Sequence, residues 1–234
     1  MLNNPILERE LLSLFRTGRS FGMQVGVAVF CTLLIGLRWP DVAQVDLAGT
    51  RSREVFVLFG YALLASVVLL VPSFPAASIV RERQQRTLVL LLHSPLTARS
   101  IYFGKLVATL GFVLVLIALS IPAASACHAM GGVSLTRQLL PLYGVLLILA
   151  LQLGAVGLWV SSRSRSPEAS LRVTYGCVLA VVVFSMMPHF FLQGSGGVPA
   201  SVASYLRFVS PVPAVMELLG HRDIGQRGAG QSVS

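Results

Sequence analysis

Charged residues are scarce in this chain. Asp, Glu, Lys and Arg make up only 12% of its 234 residues, whereas a soluble domain is usually about 25% charged. The mean hydropathy is +0.78. Four stretches contain no charged residue at all, and each exceeds the roughly 20 residues that a helix needs to cross a bilayer. They are 55–80, 106–136, 138–162 and 173–206. This composition excludes an ordinary soluble domain and predicts an integral membrane protein.

Patterns that would indicate catalysis or metal binding are also missing. The sequence has no H-E-x-x-H, G-x-S-x-G or Walker-type phosphate motif, and no paired carboxylates. The four histidines are scattered without ligand spacing, and Cys31, Cys127 and Cys177 lie far apart in predicted spans. We therefore expect no catalytic residue, metal or cofactor in this chain, and we interpret the cysteines as small packing residues.

The apolar runs predict an all-α bundle of five transmembrane helices, because a fifth run at 20–37 is shorter but still sufficient. We expect a transmembrane domain over residues 20–206. Its predicted spans are about 20–38, 55–80, 105–127, 138–160 and 172–192.

Proline and glycine add detail to three of these spans. Pro72 and Pro75 each lack an amide donor, so the second span should kink unless neighbours satisfy the freed carbonyls. Pro122 has the same effect in the third span. Gly154 and Gly157, with Ala150 nearby, offer small surfaces for close helix approach.

Both ends of the chain are predicted to lie outside the hydrocarbon layer. Residues 1–19 form an amphipathic interfacial helix, since Leu7, Leu11, Leu14 and Phe15 share one face. A plain cytosolic cap on the bundle is the alternative. Residues 207–234 are predicted to form an extracytoplasmic interfacial segment followed by a disordered tail. Segment 208–220 is too short and too proline-rich to cross, so it is either interfacial or re-entrant.

The basic residues predict the orientation. With a cytoplasmic N-terminus, eleven Lys and Arg residues lie in inner segments and four lie in outer loops, as the positive-inside rule requires. Contact with anionic lipid headgroups and the signalling of topology then explain the net charge of +9, and we expect no nucleic-acid partner. We expect the chain in a bacterial cytoplasmic (inner) membrane.

The stretch RERQQRTLVLLLHSPLT at 81–97 belongs to the largest and most basic predicted inner loop, 81–104. Thr87 can cap a short helix over 88–92, and Ser94 before Pro95 ends it. An apolar helix outside the bilayer needs a cover. From the residues alone, that cover is either another protein or the membrane interface itself.

The same stretch resembles the first cytoplasmic loop of type-2 exporter-class permeases of ATP-binding-cassette transporters, roughly E-R-E-x-x-T-L-x-x-L-L-x-[ST]-P-[LV]-[ST]-x-x-x-I-x-x-G-K. The matching residues are Glu82, Arg83, Thr87, Leu88, Leu91, Leu92, Ser94, Pro95, Leu96, Thr97, Ile101, Gly104 and Lys105. Gln84 departs from the pattern, which has a second acid there. Segments 4–21 and 210–220 are also similar to such permeases.

The resemblance implies an export permease that pairs with a second permease subunit, as a homodimer or heterodimer, and with two copies of a cytoplasmic ATPase. ATP and magnesium would be held by that ATPase. Six spans are the family norm, one more than we predict. The loop would supply a coupling helix that contacts the ATPase. The implied contact residues are Arg81, Glu82, Arg83, Arg86, Thr87, Leu88, Leu91, Leu92, Ser94 and Pro95.

Two other functions are weighed against export. A membrane anchor or regulator would transmit ATPase motion to an extracytoplasmic partner without moving a solute, and the predicted lack of a sixth span and of a polar pathway is compatible with it. An intramembrane enzyme would need a catalytic cluster, which the sequence does not display.

Overall fold

The structure is a computed structural model, and it describes residues 18–37, 50–85, 97–130, 133–191 and 211–219. Secondary structure in these ranges is helical throughout. The helices are α1 (Gly18–Leu37), α2 (Thr50–Leu70), α3 (Ser73–Gln84), α4 (Ala98–Ala129), α5 (Leu140–Arg163), α6 (Pro167–Phe191) and α7 (Val212–Leu218). A π-helical turn, Leu135–Leu139, leads into α5. The expected all-α membrane bundle is confirmed.

Four helical segments are long and apolar enough to cross a membrane. They are Ser52–Gln84, Arg99–Ala129, Leu135–Arg163 and Pro167–Ser185. A shorter apolar helix, Phe21–Leu37, stands at the position of the predicted first span. The predicted amphipathic helix at 1–19 lies almost entirely outside the described residues.

The second span is broken where the prolines predict it. Helix α2 ends at Leu70 and α3 begins at Ser73, so Val71 and Pro72 form a turn inside one membrane crossing. Two carbonyls at the break accept hydroxyl groups: Leu70 O accepts Ser73 Oγ at 2.6 Å, and Leu69 O accepts the Tyr175 hydroxyl from α6. These bonds satisfy backbone groups that a continuous helix would pair internally. Helix α4, in contrast, continues through Pro122.

The core lies where α2, α4 and α5 meet. Its largest fully buried side chains include Phe56, Phe59, Leu63, Phe112, Leu116, Leu142, Leu146 and Leu149. Helix α1 packs on α4, and the 1% exposed Gln24 donates from Nε2 to Phe112 O at 3.1 Å. This bond gives α1 one polar attachment in an otherwise apolar contact, where an unpaired amide would be strongly unfavourable.

Helix α5 is the central helix of the bundle, packing on α3, α4, α6 and α7. A Cβ atom on Gly157 would stand 2.9 Å from Pro75 Cγ and 3.3 Å from Ala76 N, and one on Gly154 would stand 3.3 Å from Leu106 Cδ1. The prediction that these glycines serve close helix approach is therefore confirmed. Gly157 lets the backbone of α3 approach, whereas at Gly154 only side chains of α4, those of Leu106 and Thr109, lie this close.

Helix α7 packs into the bundle. Val212, Val215 and Leu219 are buried, and Leu219 contacts Gly60 on α2. Gly60 stands ten residues after Thr50, or about 15 Å along α2. The segment therefore packs against α2, and its interfacial or re-entrant position in the membrane stays a prediction.

Replacing Gly157 with Ala should destabilise the protein, by about 1–3 kcal/mol, because the new methyl group overlaps a proline ring and a backbone nitrogen that cannot rotate away. Thermal unfolding in detergent measures this. Gly144→Ala on the same helix is the matched control, since a Cβ there has nothing within 4 Å. Equal melting temperatures for the two variants would contradict the close approach of α3 and α5.

Candidate functional site at the base of the loop 85–97

Helices α3 and α4 bring the two ends of the loop together. Helix α3 ends at Gln84, and α4 begins at Ala98. The C-terminus of α5 and the N-terminus of α6 lie at the same end of the bundle, joined by the short connection Ser164–Ser166. Four helix termini therefore surround the base of this loop.

An ion pair joins the last turn of α3 to α4. Lys105 Nζ lies 2.8 Å from Glu82 Oε1, and the two side chains are 3% and 16% exposed. The pair closes the loop at its base, because Glu82 precedes the loop and Lys105 follows it. Buried ion pairs contribute little net stability, but removing one partner strands the other in a poorly solvated site.

Arg83 joins α3 to the end of α5. Its guanidinium donates to Ser162 O at 2.9 Å from Nη2 and to Ser164 O at 3.3 Å from Nη1. These carbonyls belong to the C-terminal turn, which has no further helical donors and carries the negative end of the helix dipole. The Arg83 guanidinium supplies donors to these carbonyls, and its positive charge interacts favourably with the negative end of the dipole.

Hydroxyl groups from α5 and α6 bind the backbone of α3. Ser161 Oγ accepts from Ile79 N at 3.2 Å and from Val80 N at 3.3 Å. Ser170 Oγ donates to Ala76 O at 2.5 Å. Both serines are fully buried. Helix α3 is thus attached to its neighbours by its main chain as well as by side-chain packing.

Thr97 sets the other end of the loop. Its backbone is extended, and its hydroxyl accepts from Ser100 N at 3.3 Å, which makes it the N-cap of α4. The third membrane helix therefore begins at Ala98, seven residues before the start of the predicted span at 105.

Three of the predicted partner-contact residues, Arg81, Glu82 and Arg83, lie in α3. The structure gives Glu82 and Arg83 partners within the chain and leaves Arg81 exposed. Their contacts with an ATPase remain a prediction. The other predicted contact residues, and with them the coupling helix, lie outside the described residues: Arg86, Thr87, Leu88, Leu91, Leu92, Ser94 and Pro95.

Sequence reasoning missed the roles of Ser161, Ser170 and Lys105. The sequence pattern includes Lys105 but does not indicate which residue it pairs with. The two serines belong to no recognisable motif. One signal was present: Ser161 follows Gly157 by four residues, so both lie on one face of α5.

The polar residues of this site join helices to one another through hydrogen bonds and an ion pair. Within the described ranges, no three His, Cys, Asp or Glu residues lie close enough to hold a metal ion. The three cysteines are present as free thiols, of which Cys31 and Cys127 are buried. What the arrangement does hold is one short helix, α3, bonded at its end to α4 and along its length to α5 and α6.

Replacing Lys105 with Met should destabilise the chain by about 3 kcal/mol, because Glu82 then loses the cation that it contacts in a poorly solvated site. The double variant Lys105→Met with Glu82→Gln should recover part of the loss. Arg172→Met is the control, because Arg172 and Glu168 form an exposed pair at 3.7 Å. Thermal unfolding of all three tests the pair, and a double variant less stable than Lys105→Met would contradict it.

Replacing Ser161 with Ala should cost about 1–2 kcal/mol, since the amides of Ile79 and Val80 lose the buried hydroxyl that bonds them to α5. Ser162→Ala is the matched control: Ser162 is exposed, and its hydroxyl donates only to Trp159 O of its own helix among the bonds described. Hydrogen exchange of the α3 amides should rise in the first variant alone. Unchanged exchange there would refute the attachment.

Comparison with family models matches residues 42–231 to the family described as ABC-2 family transporter protein. Comparison with curated proteins and with solved structures finds no match. The matched range spans most of the chain and includes α2 through α7, the loop 85–97 and every helix terminus at its base. The chain therefore belongs to the ABC-2 transporter family, whose members are the membrane-embedded permeases of ATP-binding-cassette transporters.

Proposed function

We propose that this chain is the permease subunit of an export system, in which a separate cytoplasmic ATPase hydrolyses ATP and the loop 85–97 passes its motion to the membrane helices. Family membership implies association with an ATP-binding-cassette ATPase and dimerisation. The observation that carries the coupling role is the attachment of α3, the helix that enters the loop, to α4, α5 and α6.

Transmission follows from these contacts. A displacement of the loop acts on Gln84 at the end of α3 and on Ala98 at the start of α4. The Glu82–Lys105 pair keeps the two ends together, and the bonds to Ser161 and Ser170 carry the displacement to α5 and α6. One small contact surface on the loop can therefore move four helices.

The break at Val71 and Pro72 can act as a hinge for this motion. Side-chain hydroxyls at the break replace bonds that a helix would make within its own backbone. Such bonds tolerate a change of angle better than a helical ladder does, and helices bend at these sites. In this proposal, α3 turns about the break while α2 stays in place.

The remaining parts of the proposal follow the orientation predicted from the basic residues. The N-terminus and the loop 85–97 lie in the cytoplasm, in a bacterial inner membrane. Two ATPase subunits and a second permease complete the assembly. ATP and magnesium are bound by the ATPase, and this chain performs no catalysis itself. The family match favours transport over the alternative of a non-transporting anchor or regulator.

Replacing Leu88 or Leu92 with Asp should abolish co-purification with the cassette ATPase that serves as its partner in this proposal, because a carboxylate at an apolar contact is desolvated without a partner. Pull-down of the tagged permease in detergent measures this. Leu135→Asp is the matched control, since Leu135 is exposed at the opposite end of the bundle. Undiminished binding by both loop variants would rule out the coupling role.

A further inference from the structure

The cytoplasmic edge of the seam between α4 and α5 is an exposed surface that the coupling role does not use. The Tyr102 hydroxyl donates to Ala155 O at 3.4 Å, and Leu106 packs at Gly154, so the two helices lie side by side here. Large apolar side chains face outward along the seam: Phe103 is 60% exposed and Trp159 is 52% exposed. In a membrane protein such a face contacts lipid chains.

Two arginines stand at the end of this seam. Arg163 lies one turn beyond Trp159 on α5, with its guanidinium carbon 4.9 Å from the centre of the indole ring. Arg99 is exposed in the first turn of α4, four residues before Phe103. Because the cation–π contact holds Arg163 over a lipid-facing ring, its charge stays at the edge of the bundle.

The two seam contacts, Tyr102 with Ala155 and Leu106 with Gly154, give the approximate heights of these groups along the bundle. Arg99 precedes Tyr102 by three residues, which places it about 4.5 Å closer to the end of the bundle at the loop 85–97. Trp159 follows Ala155 by four residues, which places it about 6 Å closer to the same end. Arg99 and Trp159 therefore stand at nearly the same level, and Arg163 stands one turn farther out. Tryptophan rings prefer the level of the lipid headgroups, and a bilayer positioned by Trp159 would bring its phosphates to the level of both guanidinium groups.

No described carboxylate competes for these cations. The carboxylates described at this end of the bundle are Glu82, which pairs with Lys105, and Glu168, which lies beside Arg172. Guanidinium groups bind phosphate in a planar, two-point geometry. Phe103 and Trp159 offer an apolar surface for the acyl chains below.

We infer that Arg99, Arg163 and Trp159 form a binding site for an anionic phospholipid, with its headgroup phosphate between the two arginines and its chains along Phe103. The site requires only that the chain is embedded in a membrane, so it stands apart from the coupling role. Each arginine near an anionic surface should favour binding about five-fold, and the preference should weaken as salt rises.

Tryptophan quenching tests this site directly. The chain has two tryptophans, so Trp39→Phe leaves Trp159 as the single reporter. The Trp39→Phe protein is reconstituted in vesicles of phosphatidylcholine with a small fraction of brominated phosphatidylglycerol or, in parallel, of brominated phosphatidylcholine. The brominated anionic lipid should quench several-fold more at equal content. Adding Arg99→Gln and Arg163→Gln together should remove that excess.

Two matched variants guard the result. Arg172→Gln changes an exposed arginine at the same end that already has Glu168 beside it, and it should leave the excess quenching intact. Arg163→Lys keeps the charge but loses the planar donor pair, so it should retain only part. Equal quenching by the two brominated lipids would overturn the site. So would a result in which Arg172→Gln removes the excess quenching by the anionic lipid while Arg99→Gln/Arg163→Gln keeps it. So would a loss of ATPase co-purification in Arg99→Gln/Arg163→Gln with the lipid preference unchanged, because the arginines would then serve a protein partner.

Discussion

The structure depends on satisfying the backbone of one short helix inside an apolar medium. Pro72 and Pro75 each remove an amide donor from the second span, and in a bilayer no water replaces it. Hydroxyl groups of Ser73, Tyr175 and Ser170 reach carbonyls of this region, and Ser161 accepts two of its amides. Separating α3 from α5 and α6 would take these partners from the buried hydroxyls of Ser161 and Ser170, which is unfavourable in an apolar medium. The three helices therefore behave as one body.

Close packing and hydrogen bonding reinforce each other at this contact. Ser161 reaches the α3 amides because Gly157, one turn earlier on the same face, lets the two backbones approach. A larger residue at Gly157 would separate the helices and lengthen the bonds to Ser161. The small-residue surface is thus a condition for the polar contact, a combination typical of helix pairs in membranes, where apolar burial alone gives little preference for one face over another.

The limits of sequence reasoning follow from the same physics. Runs without charge predicted the spans, and the two prolines predicted the break, since both signals are local. The partners of Ser161 and Ser170 lie 81, 82 and 94 residues away along the chain, and no local pattern encodes such pairing. Lipid-facing and core-facing residues are both apolar in a span, so periodicity did not identify the packed face. The packing of Leu219 against Gly60 was not predicted for the same reason.

The Glu82–Lys105 pair at the base of the loop resists separation of the two loop ends in a way that apolar packing would not. Leucines there would slide past one another with little change in energy, whereas Lys105 and Glu82 lose their mutual bond when the two ends of the loop separate. The pair is buried on the Lys105 side and partly solvated on the Glu82 side, so it stands where the bundle meets water. Its contribution is to fix the spacing of α3 and α4. A loop that passes motion to the membrane needs that fixed spacing, because a base that spread under load would absorb the displacement before it reached α5.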